Sequence, residues 1–173
     1  MLFVRRLVLV LMLALLSLTP ARANPMLLVD MDNLAVLYAE DAGQPWYPAS
    51  LTKLMTAYVA FEQIGLGKAT LETPIIISRK AFNQAPSKSG LAIGSAVTLQ
   101  DALYLMLVKS ANDVAMAIAE TLAGDEAGYV ALMNEAAGRM GLTATHYANP
   151  NGLPDPAQVT TARDLAVLSL YIR

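Results

Sequence analysis

The chain of 173 residues contains no cysteine and a single histidine, His146. Without thiols it can form neither a disulfide nor a thiolate metal site, and a cysteine nucleophile is excluded. A zinc site made of several histidines is excluded too, and a histidine-based triad would have to use His146. We expect no metal and no cofactor.

Charged residues are also few, with 12 lysines and arginines against 14 aspartates and glutamates. The basic residues are scattered and form no block, so nucleic acid is not an expected partner. The apolar run from Leu7 to Leu16 is shorter than the roughly 20 residues of a membrane-spanning helix. It follows Arg5-Arg6 and precedes Ala21-Arg22-Ala23, which is typical of a secretory signal peptide cleaved after Ala23. We therefore expect a signal peptide over residues 1–23 and a mature domain over 24–173; a retained membrane anchor is the alternative.

The mature part has the pattern of an α+β fold. Two β-favouring runs, 26–30 and 35–39, are separated by the turn residues Asp32-Asn33 and predict a hairpin, and a further strand is expected over 74–78. Apolar spacing and end signals predict helices over 50–64, 99–108, 114–122, 126–140 and from about 162 to the end. Capping residues are expected at Thr98, at Thr161 and at Asn112 or Asp113. Because a few short strands need partners and the last helix still runs at Arg173, we expect the closing strands of the domain to be missing.

Ser50 and Lys53 stand three residues apart, and Ser110-Ala111-Asn112 follows downstream. Residues three apart share a face of a helix, so the Lys53 amine can reach the Ser50 hydroxyl if a helix starts near Ser50. A Ser-x-x-Lys followed by Ser-x-Asn is typical of acyl transfer to a serine whose base is a lysine. As an alternative, Ser50 is a helix cap, Lys53 a surface charge, and Ser110 and Asn112 mark helix ends.

These motifs, in this order, resemble those of the low-molecular-weight penicillin-binding proteins, and among them the DacA-type D-alanyl-D-alanine carboxypeptidases. Residues 48–56 match Pro-Ala-Ser-x-Thr-Lys-x-Met-Thr, and residues 94–103 are similar to Gly-x-x-Val-Thr-Val-x-Asp-Leu-Leu. Residues 110–113 match Ser-Gly-Asn-Asp with alanine in place of glycine, and Asn151 stands where histidine is common before Gly-Leu. The resemblance covers nearly everything from Pro25 onward.

The resemblance implies the serine β-lactamase/D,D-peptidase-like fold, an antiparallel sheet flanked by helices plus an all-helical lobe. It also implies a serine D,D-carboxypeptidase of the bacterial periplasm. Its substrate would be the peptidoglycan stem pentapeptide ending in D-Ala-D-Ala, and β-lactam antibiotics, which mimic that dipeptide, would bind too. By the same resemblance, Ser50 is the acyl-ester nucleophile, Lys53 the general base and Ser110 a proton relay, while Asn112 binds substrate. Lys53 can act as a base only if its pKa falls, through burial or a second cation.

One family motif is absent. The third motif, Lys-Thr-Gly, is expected after Ser-x-Asn, but no lysine follows Asn112. The segment Lys88-Ser89-Gly90 precedes Ser110 and is interpreted as a loop, so truncation before the third motif is the simplest account.

Other functions stay open on the sequence alone. One is a D,D-endopeptidase, which the motifs do not separate from a carboxypeptidase, and another is an inert wall-binding fragment. A class A β-lactamase ranks low because Glu135 is predicted in mid-helix, without the proline-containing loop of that class. Membrane association would have to come from segments not present here.

Overall fold

The computed structural model describes residues 24–173, and the predicted signal peptide over 1–23 lies outside the described residues. The described part begins with the predicted hairpin. Strands β1 (Met26–Val29) and β2 (Val36–Glu40) pair antiparallel, with Met26 opposite Glu40. The turn is built as its composition predicts, because the Asp30 carboxylate accepts hydrogen bonds from the Asp32 amide at 2.9 Å and the Asn33 side chain at 3.0 Å.

The remaining elements are mostly helical. A short 3₁₀ turn, Ala49–Leu51, leads into the first α-helix, and a second antiparallel pair of strands lies farther along the chain. The bounds are α1 Thr52–Gly65, β3 Pro74–Ile76, α2 Arg79–Phe82, β4 Ala96–Thr98, α3 Leu99–Val108, α4 Asn112–Ala123, α5 Glu126–Arg139 and α6 Ala162–Tyr171. The predicted α+β class is confirmed. Within residues 24–173, no helix has both the length and the hydropathy that crossing a bilayer requires.

Two of the predicted helix starts are confirmed and one is wrong. The Thr98 hydroxyl accepts from the Asp101 amide at 3.1 Å, and the Thr161 hydroxyl accepts from the Asp164 amide at 3.0 Å. Helix α4 has Ala111 as its N-cap, not Asn112 or Asp113, because both of those side chains bind other segments (below). Helix α6 ends at Tyr171 instead of continuing to Arg173.

Helix α4 forms the centre of the core. Every residue from 112 to 119 is buried, and the helix contacts α1, α3, α5 and β3. Alanines at 115, 117 and 119 alternate with Val114, Met116 and Ile118, and all six are buried, so neighbouring elements pack against α4 on several sides. The first residues of α4 are therefore held firmly in place, and Asn112 is among them.

Two fully buried tyrosines give a test of this core. The Tyr129 hydroxyl donates to the Thr56 carbonyl oxygen at 2.7 Å, whereas the Tyr147 hydroxyl has no hydrogen-bond partner among residues 24–173. Removing a satisfied buried hydroxyl costs about 1 kcal/mol, while removing an unsatisfied one is close to neutral. We expect Tyr129→Phe to lower the free energy of unfolding in urea by about 1 kcal/mol and Tyr147→Phe to leave it unchanged or raise it. An equal loss in both variants would contradict this assignment.

Candidate active site

Ser50 lies in the turn that leads into α1, and it is exposed to a cavity of about 510 Å³. Two stretches of the chain, 48–54 and 106–110, line this cavity with Pro48, Ala49, Ser50, Leu51, Lys53, Leu54, Met106, Leu107 and Ser110. Ala49 has φ 46°, in the left-handed region that an alanine rarely adopts. Gly152 packs against this turn so closely that an added Cβ atom would overlap the Ala49 carbonyl oxygen. Ser50 therefore lies on a strained turn, and the loop that contains Gly152 packs against this turn.

Lys53, one helical turn after Ser50, is 2% exposed. Its Nζ donates to Asn112 Oδ1 at 2.7 Å and to the Asn151 carbonyl oxygen at 2.6 Å. Burial disfavours the charged ammonium and lowers the pKa of Lys53 from 10.5 to about 8. A neutral amine has two N–H donors, and these two acceptors use both. Its lone pair is then free to accept a proton.

The Ser110 hydroxyl lies 2.9 Å from the Ser50 hydroxyl and donates to it. Ser110 follows the end of α3 and has φ 59°, so the chain reverses there and turns the hydroxyl toward Ser50. Within the described part of the chain, the hydrogen bonds of Lys53 Nζ go to Asn112 and Asn151 and not to Ser50. Ser50, Lys53 and Ser110 nevertheless line one cavity.

Asn112 is 5% exposed and contacts Lys53 rather than the cavity. Its side-chain Nδ2 donates to the Ala85 carbonyl oxygen at 3.0 Å, and its main-chain amide donates to the Ser87 carbonyl oxygen at 2.8 Å. With Oδ1 bound to Lys53, both ends of the amide are occupied. The geometry gives Asn112 a role in holding the amine; substrate binding by the same residue stays a prediction.

Sequence reasoning marked Asn151 only as a departure from the family pattern and missed the contacts that the loop of residues 149–153 makes with α1. Besides the Asn151–Lys53 contact, the Pro150 carbonyl oxygen accepts from the Thr56 hydroxyl at 2.6 Å. Farther along the chain, Gln158 Nε2 donates to the Thr52 hydroxyl at 2.9 Å. Lys53 and Thr56 are bound by main-chain oxygens, which any residue type supplies. The composition of the segment therefore indicated a loop and nothing more.

The other motifs singled out in the sequence lie outside this cavity. The Lys88-Ser89-Gly90 segment is in a loop, where Ser89 donates to the Asp113 carboxylate from its amide at 2.9 Å and its hydroxyl at 2.7 Å. Glu135 is exposed within α5, and the exposed His146 pairs through its main chain with Val159. Within residues 24–173, no three acidic or histidine side chains lie close enough together to hold a metal ion.

Two glycines give a matched test of the packing beneath Ser50. Gly152 has φ 84° and no room for a Cβ, whereas Gly138 lies within α5 with open space around it. We expect Gly152→Ala to lower the free energy of unfolding by about 2 kcal/mol or more, and Gly138→Ala to raise it by about 0.5–1 kcal/mol. Urea denaturation measures both values. A harmless Gly152→Ala substitution would show that the Ala49 turn does not depend on this contact.

The chain matches known proteins along most of its length. The family model for D-alanyl-D-alanine carboxypeptidase matches residues 16–173. D-alanyl-D-alanine carboxypeptidase DacA of Haemophilus influenzae is 34% identical over 153 residues, which cover 87% of this chain and 39% of that protein. The chain thus spans about two fifths of the length of this curated relative.

Solved structures agree with the sequence match. The crystal structure of D-alanyl-D-alanine carboxypeptidase DacD from Francisella tularensis superposes with a TM-score of 0.82 at 34% identity, covering 86% of this chain and 36% of that one. Penicillin binding protein 5 from Haemophilus influenzae superposes with a TM-score of 0.81 at 34% identity, and the match covers 90% of this chain and 46% of that one. The D,D-peptidase-like fold implied by the motifs is confirmed. Since the family match extends over all of the described residues, the chain belongs to the D-alanyl-D-alanine carboxypeptidase family.

Proposed function

We propose that the protein is a serine D,D-carboxypeptidase, which removes the terminal D-alanine from peptidoglycan stem peptides, and that β-lactam antibiotics acylate the same serine. The observation that carries this proposal is one cavity holding two hydrogen-bonded serine hydroxyls, of Ser50 and Ser110, beside a buried amine of lowered pKa. The names of the relatives support the same substrate and inhibitor classes.

In the acylation step, Ser50 Oγ attacks the carbonyl carbon of the penultimate D-alanine, and the neutral Lys53 amine takes up the hydroxyl proton. The Ser50 main-chain amide, at the start of the helical segment, is available to stabilise the oxyanion. As the peptide C–N bond breaks, Ser110 relays a proton to the departing amine: it gives up its own hydroxyl proton and takes one from the Lys53 ammonium, which becomes neutral again. D-alanine leaves as a neutral amine and an acyl-Ser50 ester remains. Water then attacks the ester, which releases the shortened peptide and returns a proton to Ser50.

This function fits the N-terminal pattern of the sequence. Stem peptides lie outside the inner membrane, so an enzyme that trims them must be exported. We therefore propose that residues 1–23 direct secretion and that the protein acts in the bacterial periplasm.

The assignment of the nucleophile is tested by incubating the full-length protein with a fluorescent penicillin. We expect covalent label on the wild-type protein and none on Ser50→Ala, because the ester can form only at that hydroxyl. Ser169→Ala is the matched control, since the Ser169 hydroxyl bonds the Leu165 carbonyl oxygen on α6 and does not line the cavity. Label that persists in Ser50→Ala would exclude Ser50 as the nucleophile. Release of D-alanine from a synthetic pentapeptide ending in D-Ala-D-Ala tests the substrate.

The role of Lys53 predicts a pH dependence. Only the neutral amine accepts a proton, and its fraction increases as pH rises through the pKa of about 8. We expect the rate of acylation by penicillin to rise from pH 6 to a plateau above the pKa, with a midpoint near pH 8. Lys53→Arg keeps the positive charge, so its rate should fall by about 10²–10⁴ and show no such rise. A wild-type rate that is flat across this range would rule out Lys53 as the base.

A further inference from the structure

Both acceptors of the Lys53 amine are themselves held by one loop, residues 83–90. Gln84 Oε1 accepts from Asn151 Nδ2 at 2.8 Å, and the Ala85 carbonyl oxygen accepts from Asn112 Nδ2 at 3.0 Å. These contacts join segments that are far apart in sequence. Of the two, only the contact to Asn151 is made by a side chain of the loop.

Asn151 is bound at three of its polar atoms, and it is only 2% exposed. Its main-chain oxygen accepts from Lys53 at 2.6 Å, its Oδ1 accepts from the Leu153 amide at 3.1 Å, and its Nδ2 donates to Gln84. A buried amide donor that loses its acceptor costs about 1–3 kcal/mol unless the residue moves. The position of the Asn151 carbonyl, and with it the direction of the Lys53 amine, therefore depends on the acceptor that Gln84 supplies.

We infer that Gln84 is a positioning residue for the Lys53 base, acting through Asn151. This inference rests on the proposed function of Lys53 in acylation. Gln84 does not line the cavity, so it influences the reaction only through the orientation of the amine. It also occupies a loop position that no motif in the sequence marks.

Charged groups on the elements around Lys53 are bound to other partners, and burial alone shifts the pKa of Lys53. Asp113 binds Ser89, Lys88 binds the Phe82 carbonyl oxygen and Lys109 binds the Ser89 carbonyl oxygen. On α1 itself Glu62 pairs with Arg139, and past the 149–153 loop Asp155 accepts from the Ala157 amide. A negative charge introduced at position 84 is expected to favour the ammonium form of Lys53.

Two substitutions distinguish the effect of the Gln84 hydrogen-bond acceptor from the effect of the size of its side chain. Gln84→Met keeps the length but has no strong acceptor, so we expect about a tenfold slower acylation by fluorescent penicillin, because the amine loses its alignment. Gln84→Glu keeps the acceptor and adds a negative charge, which raises the pKa of Lys53. Acylation of Gln84→Glu should therefore reach the wild-type rate at high pH, while the midpoint of its pH dependence moves to higher pH. The control Gln100→Met changes an exposed glutamine away from the cavity and should alter neither quantity.

The pathway through Asn151 is tested by a double-mutant cycle. If Gln84 acts only by holding Asn151, then adding Gln84→Met to Asn151→Ala slows acylation no further. If the two substitutions instead slow acylation independently, so that their effects multiply in the double variant, the inference is overturned. A Gln84→Met variant with the wild-type rate and pH profile would overturn it as well. The thermal stability of each variant is measured as well. If Gln84→Met proves destabilised, the pH profile of Gln84→Glu decides the question. A pH midpoint of acylation equal to that of the wild type then overturns the inference. Wild-type protein that fails to label at Ser50 would instead refute the proposed function.

Discussion

The buried amine of Lys53 is the constraint on which the rest of the site depends. A buried amine must have hydrogen-bond acceptors, and its two acceptors lie 59 and 98 residues away in sequence, at Asn112 and Asn151. The fold must therefore bring the start of α1, the start of α4 and the 149–153 loop to one point. Because the pKa of Lys53 is lowered from 10.5 to about 8, the unfolded chain binds the proton more tightly in that range. The contribution of Lys53 to the free energy of unfolding therefore increases as pH rises from about 8 to 10.5.

The hydroxyls of Ser50 and Ser110 share a second constraint, in the backbone. Ala49, immediately before Ser50, and Ser110 itself both have positive φ, 46° and 59°. Such conformations cost on the order of 1–2 kcal/mol each and persist only where the surroundings enforce them. Gly152 packs against the first turn, and a hydrogen bond from the Ala111 amide to the Leu105 carbonyl oxygen, at 3.4 Å, helps to close the second. Conformational strain and the buried amine are thus concentrated around one cavity.

How far the sequence predicts this structure depends on which atoms make the contacts. Hairpin and helices follow from apolar spacing and turn residues, and Ser50, Lys53, Ser110 and Asn112 are marked by side-chain type and spacing. The contribution of Asn151 is a main-chain oxygen, and that of Gln84 depends on a contact 67 residues away, so neither leaves a local pattern. Strand β4 has three residues and exists through its pairing with β3, and α2 is a single turn, too short to show a period. The N-cap of α4 was mispredicted because tertiary contacts recruit the two polar side chains that would otherwise cap it.

The polar groups around Lys53 act on its protonation in opposite directions. Two acceptor oxygens favour the charged ammonium, whereas removal from water favours the neutral amine, and the lowered pKa shows that desolvation is the larger effect. Within the described residues, no other cation contributes to this shift, so the protonation of the Lys53 amine depends on how much water reaches it. The cavity beside Lys53 is open, and any ligand that fills it displaces that water. An uncharged group that displaces this water lowers the pKa of Lys53 further, whereas an anionic group placed near the amine raises it.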